Sequence, residues 1–153
     1  MTPEPLLVQR ELIEDYLAAD ESGLRSVGND PIVAAAWIWR SLNTVLLAQA
    51  RQNPGWIVVR HEDLSNAPLE QFQRLYSQLD LPWSNRVERR VRRWTGAGNK
   101  VEADKGRVQQ FRRDSKQLHA LRIAMLEPED RRRVFEITGR VADTWYDESS
   151  FQI

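Results

Sequence analysis

One pentapeptide limits the folds open to this chain more than any other feature. Trp56-Ile57-Val58-Val59-Arg60 is short, β-branched and uncharged until its last residue, with Pro54-Gly55 before it and the polar HEDLSN segment after it. Unbroken apolar character of this length marks a strand covered on both faces in a parallel sheet. No second segment of the kind occurs in the 153 residues. A lone buried strand leaves its backbone donors and acceptors unpaired. Two alternatives follow: the segment prolongs a helix, or it joins a sheet whose other strands this chain does not encode.

Elsewhere the pattern is helical. Leu6, Leu7, Leu12, Ile13, Tyr16 and Leu17 space out as one apolar face that ends near Asp20–Gly23. Asp30-Pro31 is a start signal, an Asp cap followed by a first-turn proline, for a helix running to Asn53. Its IVAAAWIW half is apolar on every side, as buried helices are. Pro68 opens a helix with Leu69, Phe72, Leu75, Tyr76 and Leu79 on one face. Ser84 is placed to cap the next, where Val87, Val91 and Trp94 alternate with Arg86, Arg89, Arg90 and Arg93. Asp114 caps a helix bearing Leu118, Leu121 and Met125, and Glu127-Pro128 starts the last, with Val134, Ile137, Val141 and Trp145. The glycine-rich stretch from 96 to 110 has no apolar period and is expected to be a flexible loop. One domain covering residues 1–153 is the expectation at this length.

Composition narrows the chemistry. The chain has no cysteine, which excludes disulfide scaffolds, thiolate metal sites and thiol nucleophiles, and only two histidines, His61 and His119. The start lacks the basic-then-apolar order of a secretion signal, and Ile32–Trp39 is too short to cross a bilayer. A cytoplasmic location and no membrane partner are expected. The 22 basic and 22 acidic residues balance, but not evenly along the chain. Arg86–Arg113 holds ten basic residues against three acidic, +7, and the remainder carries −7. Such a split focuses a field on an anionic ligand, or is merely a solvated arginine-rich helix.

Local motifs are weak. Gly96-Ala-Gly98-Asn-Lys100 lacks the spacing and the preceding strand of a phosphate loop. His61-Glu62-Asp63 has residue types suited to acid–base work, yet neighbours on an extended segment point apart. Trp37, Trp39, Trp94 and Trp145 fall at core-like positions. The arginine run could grip nucleic-acid phosphates, but the chain is neutral overall and shows no helix-turn-helix pairing or aromatic platform. These features speak against nucleic acid as the partner; the alternative function is a non-enzymatic helical binding module that uses Arg86–Arg113 to hold nucleic acid or an acidic protein.

The ordered set Trp56-Ile-Val-Val-Arg60-His61-Glu62-Asp63-Leu64, Pro68, Phe72, Leu75-Tyr76, Leu79 and Leu81-Pro82-Trp83 resembles the central segment of bacterial sulfotransferases. Leu6-Leu7, Gln9, Tyr16-Leu17 and Trp39-Arg40 upstream are similar too. So are Thr95, Arg112-Arg113-Asp114-Ser115, Leu126, Pro128-Glu129, Ile137-Thr138 and Trp145-Tyr146 downstream. The resemblance implies an α/β sulfotransferase fold, of the P-loop nucleoside-kinase-like type but truncated, mostly helical, with one short strand around 56–60. It implies sulfuryl transfer from 3′-phosphoadenosine-5′-phosphosulfate (PAPS) to a hydroxyl or amine. Carried over by position, Thr95 would contact adenine, Arg112, Arg113 and Ser115 would hold the 3′-phosphate end, and His61 would face the cofactor. The 96–110 loop would cover the nucleotide.

The family's P-K-S/A-G-T-T/S phosphosulfate loop does not occur, nor does its R-x-P…S element. The expectation is a C-terminal half that is inactive alone. A second polypeptide, or another copy, would complete it or pair the 56–60 strand.

Overall fold

The computed structural model describes residues 2–102, 111–146 and 148–151, which form two compact units, Met1–Val58 with Leu126–Ile153, and Val59–Met125. All regular structure among the described residues is helical. The expected α/β sheet of sulfotransferase type, with its strand around 56–60, is thus corrected. Trp56 donates its N–H back to the Asn53 carbonyl at 2.9 Å, closing the turn after a helix. Arg60 has extended dihedrals, φ −78° and ψ 135°, but among the described residues no strand lies beside it. β-Branched side chains favour extended backbone; a ladder also needs a neighbour. Trp56, Ile57 and Val58 instead stand 51%, 38% and 40% exposed.

In the first unit the expected single helix over residues 6–17 is broken into pieces. Helix α1 (Glu4–Leu7) and α2 (Arg10–Leu12) are followed by a π-helical turn, Ile13–Leu17. Gln9 leaves helical geometry at φ −91°, ψ 87°, and its side-chain amide donates to the Pro5 carbonyl at 2.9 Å. A side chain has taken an acceptor that a continuing helix would fill with backbone N–H. The apolar face survives the break. Ile13 and Leu17 join Leu24 of α3 (Glu21–Ser26) in a buried cluster, with Leu6, Leu7, Leu12, Tyr16, Trp37 and Val45 packed around it. Each fully buried leucine contributes about 1.5–3 kcal/mol.

Helix α4 (Pro31–Gln52) is the spine of this unit. Asp30 caps it as its sequence indicated, accepting from the N–H groups of Ile32 at 2.9 Å and Val33 at 3.2 Å. The same carboxylate meets Arg133 of α9 (Pro128–Ala142), and that guanidinium bond, with the two N–H donors, holds the Asp30 carboxyl below its ordinary range. By length and composition α4 also suits a bilayer span. Within this unit it packs along α9, and Arg40 ties the pair together through the Ile137 carbonyl at 2.8 Å. Helix α10 (Glu148–Phe151) ends the described chain, with Phe151 edge-on to Phe135 at 5.1 Å.

The second unit holds α5 (His61–Asn66), α6 (Pro68–Gln78), α7 (Asn85–Thr95) and α8 (Ser115–Ala124). Helix α5 packs on α6 and α8, and α6 on α7. His61-Glu62-Asp63, expected on an extended segment, is the first turn of helix His61–Asn66, where Glu62 and Asp63 complement the positive end of the dipole. Helix α6 ends in a six-to-one turn: Leu81 donates to the Tyr76 carbonyl at 2.8 Å and Asp80 to that of Ser77 at 3.2 Å. Asp80 sits there at φ 53°, a left-handed conformation that suits glycine. Asp80→Gly is expected to stabilise the protein by about 0.5 kcal/mol, and Asp80→Val to destabilise it by about 1–2 kcal/mol. Thermal unfolding of the pair checks this, and an unchanged or raised Tm for the valine variant would contradict the strain.

Candidate functional site

The second unit contains a cavity of about 460 Å³ lined by His61, Glu62, Ser65, Trp94, Thr95, Phe111, Arg113, Ser115 and Leu118. That volume lies within the usual range for a small-molecule site, about 300–1,000 Å³. Four of the five residues singled out by position, His61, Thr95, Arg113 and Ser115, line it. The fifth, Arg112, is exposed and is not among the lining residues.

Three local features build the wall. First, the helical turn of α5 places His61 and Ser65 four residues apart on one face, with the Ser65 hydroxyl 3.3 Å from His61 Nδ1. Second, the chain leaves α7 through Gly96, where a Cβ would lie 2.6 Å from the Arg92 carbonyl oxygen, so that exit depends on glycine. Third, the segment entering α8 is pinned to the end of α7. Arg113 donates its N–H to the Trp94 carbonyl at 3.1 Å, and the Asn99 side-chain amide donates to the carbonyls of Arg93 and Arg113 at 3.1 and 3.3 Å. Of the expected 96–110 loop, residues 103–110 lie outside the described residues; Gly96–Glu102 is non-helical.

The polar groups differ in what they can offer. Ser115 donates to the Ser65 carbonyl at 2.9 Å, with the Thr95 carbonyl 3.4 Å away, so its hydroxyl links α5 to α7. Thr95 donates to the Val91 carbonyl at 2.8 Å, which leaves its hydroxyl oxygen able only to accept. Asp63 is engaged by Arg60 through Nε–Oδ2 at 2.9 Å and Nη2–Oδ1 at 2.5 Å, and this bond holds its carboxyl below the ordinary range. Asp63 therefore serves Arg60, while His61 faces Ser65. The His-Glu-Asp triplet builds no imidazole–aspartate dyad.

A second cavity of about 400 Å³ shares Ser65, Thr95 and Ser115 with the first and has Arg92, Asp114 and Lys116 among its other lining residues. Arg92 is already paired with Glu88 at 2.8 Å, and buried Asp114 caps α8 through the Gln117 N–H at 3.0 Å. Among the described residues no group of three histidine or acidic side chains could hold a metal ion.

The feature missed in the sequence is aromatic. Trp94, expected in the core, is 37% exposed and lies nearly parallel to Phe111, with ring centroids 6.2 Å apart and planes at 19°. Phe111 precedes Arg112-Arg113, and an aromatic beside a basic pair was the signal available. Compared with family models, curated proteins and solved structures, the chain has no match in any of the three.

Proposed function

We propose that the Val59–Met125 unit binds an adenosine nucleotide bearing more than one phosphate, of the PAPS or adenosine 3′,5′-bisphosphate class. Sulfuryl transfer would require a phosphosulfate loop that these 153 residues do not contain. The observation that carries this proposal is convergence. His61, Thr95 and the neighbouring Arg113 and Ser115, from three separate stretches of sequence, line one cavity beside an aromatic pair. A planar base suits the rings of Trp94 and Phe111, and the Arg113 guanidinium suits a phosphate. Asp63 is held by Arg60, so among the described residues the His61-Glu62-Asp63 triplet supplies no imidazole–aspartate dyad to activate an acceptor. Binding without turnover is the activity that fits.

Titration calorimetry with adenosine 3′,5′-bisphosphate, AMP and inorganic phosphate tests the proposal. The bisphosphate is expected to bind saturably and more tightly than either control. Arg113→Gln is expected to weaken it about tenfold or more, the loss of a charge-assisted hydrogen bond. Absence of heat at millimolar bisphosphate, or equal binding of inorganic phosphate, would remove the nucleotide assignment. Turnover of PAPS by the chain alone would overturn its inactivity.

A further inference from the structure

The division into two units is also a division of charge. Val59–Met125 carries 14 basic and 8 acidic residues, +6, and the rest of the chain 8 basic and 14 acidic, −6. Much of the excess is displayed by one helix. At 3.6 residues per turn, Arg86, Arg89, Arg90 and Arg93 fall within about 100° of one another around α7 and span about 10 Å along it. All four are exposed. Among the described residues Glu88, the one acid on this helix, is engaged by Arg92 and not by any of these four. Four like charges on one face repel, and a polyanion would relieve that repulsion.

This ridge does not end in open solvent chemistry. One turn beyond it, Arg90 lies 5.8 Å over the Trp94 ring, and Trp94 stacks on Phe111, itself 65% exposed. The sequence showed no aromatic platform; the fold assembles one from residues on either side of the 96–110 stretch. A row of guanidiniums leading to exposed, near-parallel rings is the combination that holds unpaired bases and their phosphates. A duplex would not reach it in the usual way. Helices α6 and α7 are separated by the six residues Leu79–Ser84, longer than the turn of about three to four residues in a helix-turn-helix.

We propose that Arg86, Arg89, Arg90 and Arg93, continued by Trp94 and Phe111, form a track for single-stranded nucleic acid. The arginines neutralise successive phosphates and the rings stack bases. The track shares Trp94 and Phe111 with the nucleotide cavity but does not need the nucleotide to be a sulfonucleotide.

Fluorescence anisotropy with a labelled thymidylate dodecamer on the full chain tests the track, with the matching duplex and polyglutamate as controls. The single strand is expected to bind more tightly than either, with log K falling linearly as log salt rises. Replacing Arg86, Arg89 and Arg93 together by glutamine is expected to reduce that slope by roughly two units, at about 0.7 per phosphate contact. The same variant should keep its affinity for adenosine 3′,5′-bisphosphate, which separates loss of the track from loss of the cavity. Trp94→Ala, and independently the exposed Phe111→Ser, are expected to weaken the strand about tenfold while leaving the slope unchanged. No binding at low salt, preference for the duplex, or equal capture of polyglutamate with both aromatic variants unaffected would overturn it.

Discussion

Asp20→Ala is expected to destabilise the first unit by about 3–5 kcal/mol, the largest effect of any single substitution considered for this protein. Asp20 and Arg40 have side-chain exposures of 6% and 12%, and they meet in two parallel bonds, Nε–Oδ2 at 3.1 Å and Nη2–Oδ1 at 2.5 Å. The remaining guanidinium nitrogen donates to the Ile137 carbonyl at 2.8 Å, and the whole group lies 4.9 Å over the Trp37 ring. Removing the carboxylate leaves a cation enclosed by helices α4 and α9 and the turn before α3, with a single carbonyl for compensation. Replacing both members is a different matter. Asp20→Leu with Arg40→Met removes the uncompensated charge and is expected to recover most of the loss. Urea denaturation of the three proteins checks both statements. A single variant within about 1 kcal/mol of the parent would mean the pair is far better solvated than its burial implies.

Gly23→Ala is expected to destabilise by about 2 kcal/mol, against the usual direction for a glycine inside a helix. In an open helix the added methyl would gain up to about 1 kcal/mol of propensity. Here a Cβ at position 23 would lie 2.1 Å from Cη2 and 2.2 Å from Cζ2 of Trp37, well inside contact distance. The indole cannot simply swing away, because it packs against the Ile13–Leu17–Leu24 cluster and under Arg40. Overpacking of that kind costs about 1–3 kcal/mol, which outweighs the propensity gain. Gly28, with no atom within 4 Å of an added Cβ, is the control and should tolerate alanine. Pairing Gly23→Ala with Trp37→Leu is expected to restore part of the stability. Equal melting curves for Gly23→Ala and Gly28→Ala would falsify the close approach.

Much of the helical framework was legible in short signals. Asp30, Ser84 and Asp114 cap the helices their positions indicated, because a short acceptor side chain beside open N–H groups acts locally. Pro31, Pro68 and Pro128 stand at helix starts for an equally local reason, a missing N–H where none is needed. The breaks were harder to see. Gln9 interrupts a continuous apolar period with one side-chain bond that periodicity does not encode. Glu62 and Asp63 were a readable start signal for α5, but the β-branched residues before them argued for continued extension. At 56–60 the residues favoured extension, and the described chain supplies no strand to pair with.

The site divides in the same way. Its basic content and the candidates His61, Thr95, Arg113 and Ser115 were present in the linear pattern; their meeting in one cavity was not. Sequence by itself determined where helices α4, α6, α7, α8 and α9 begin, since capping and turn chemistry operate within about four residues. Tertiary structure decided that Arg40 would bury with Asp20, that Trp94 would face outward against Phe111, and that no strand would form among the described residues. Those outcomes depend on groups tens of residues apart, and their energies come from burial and long-range pairing that no local window contains.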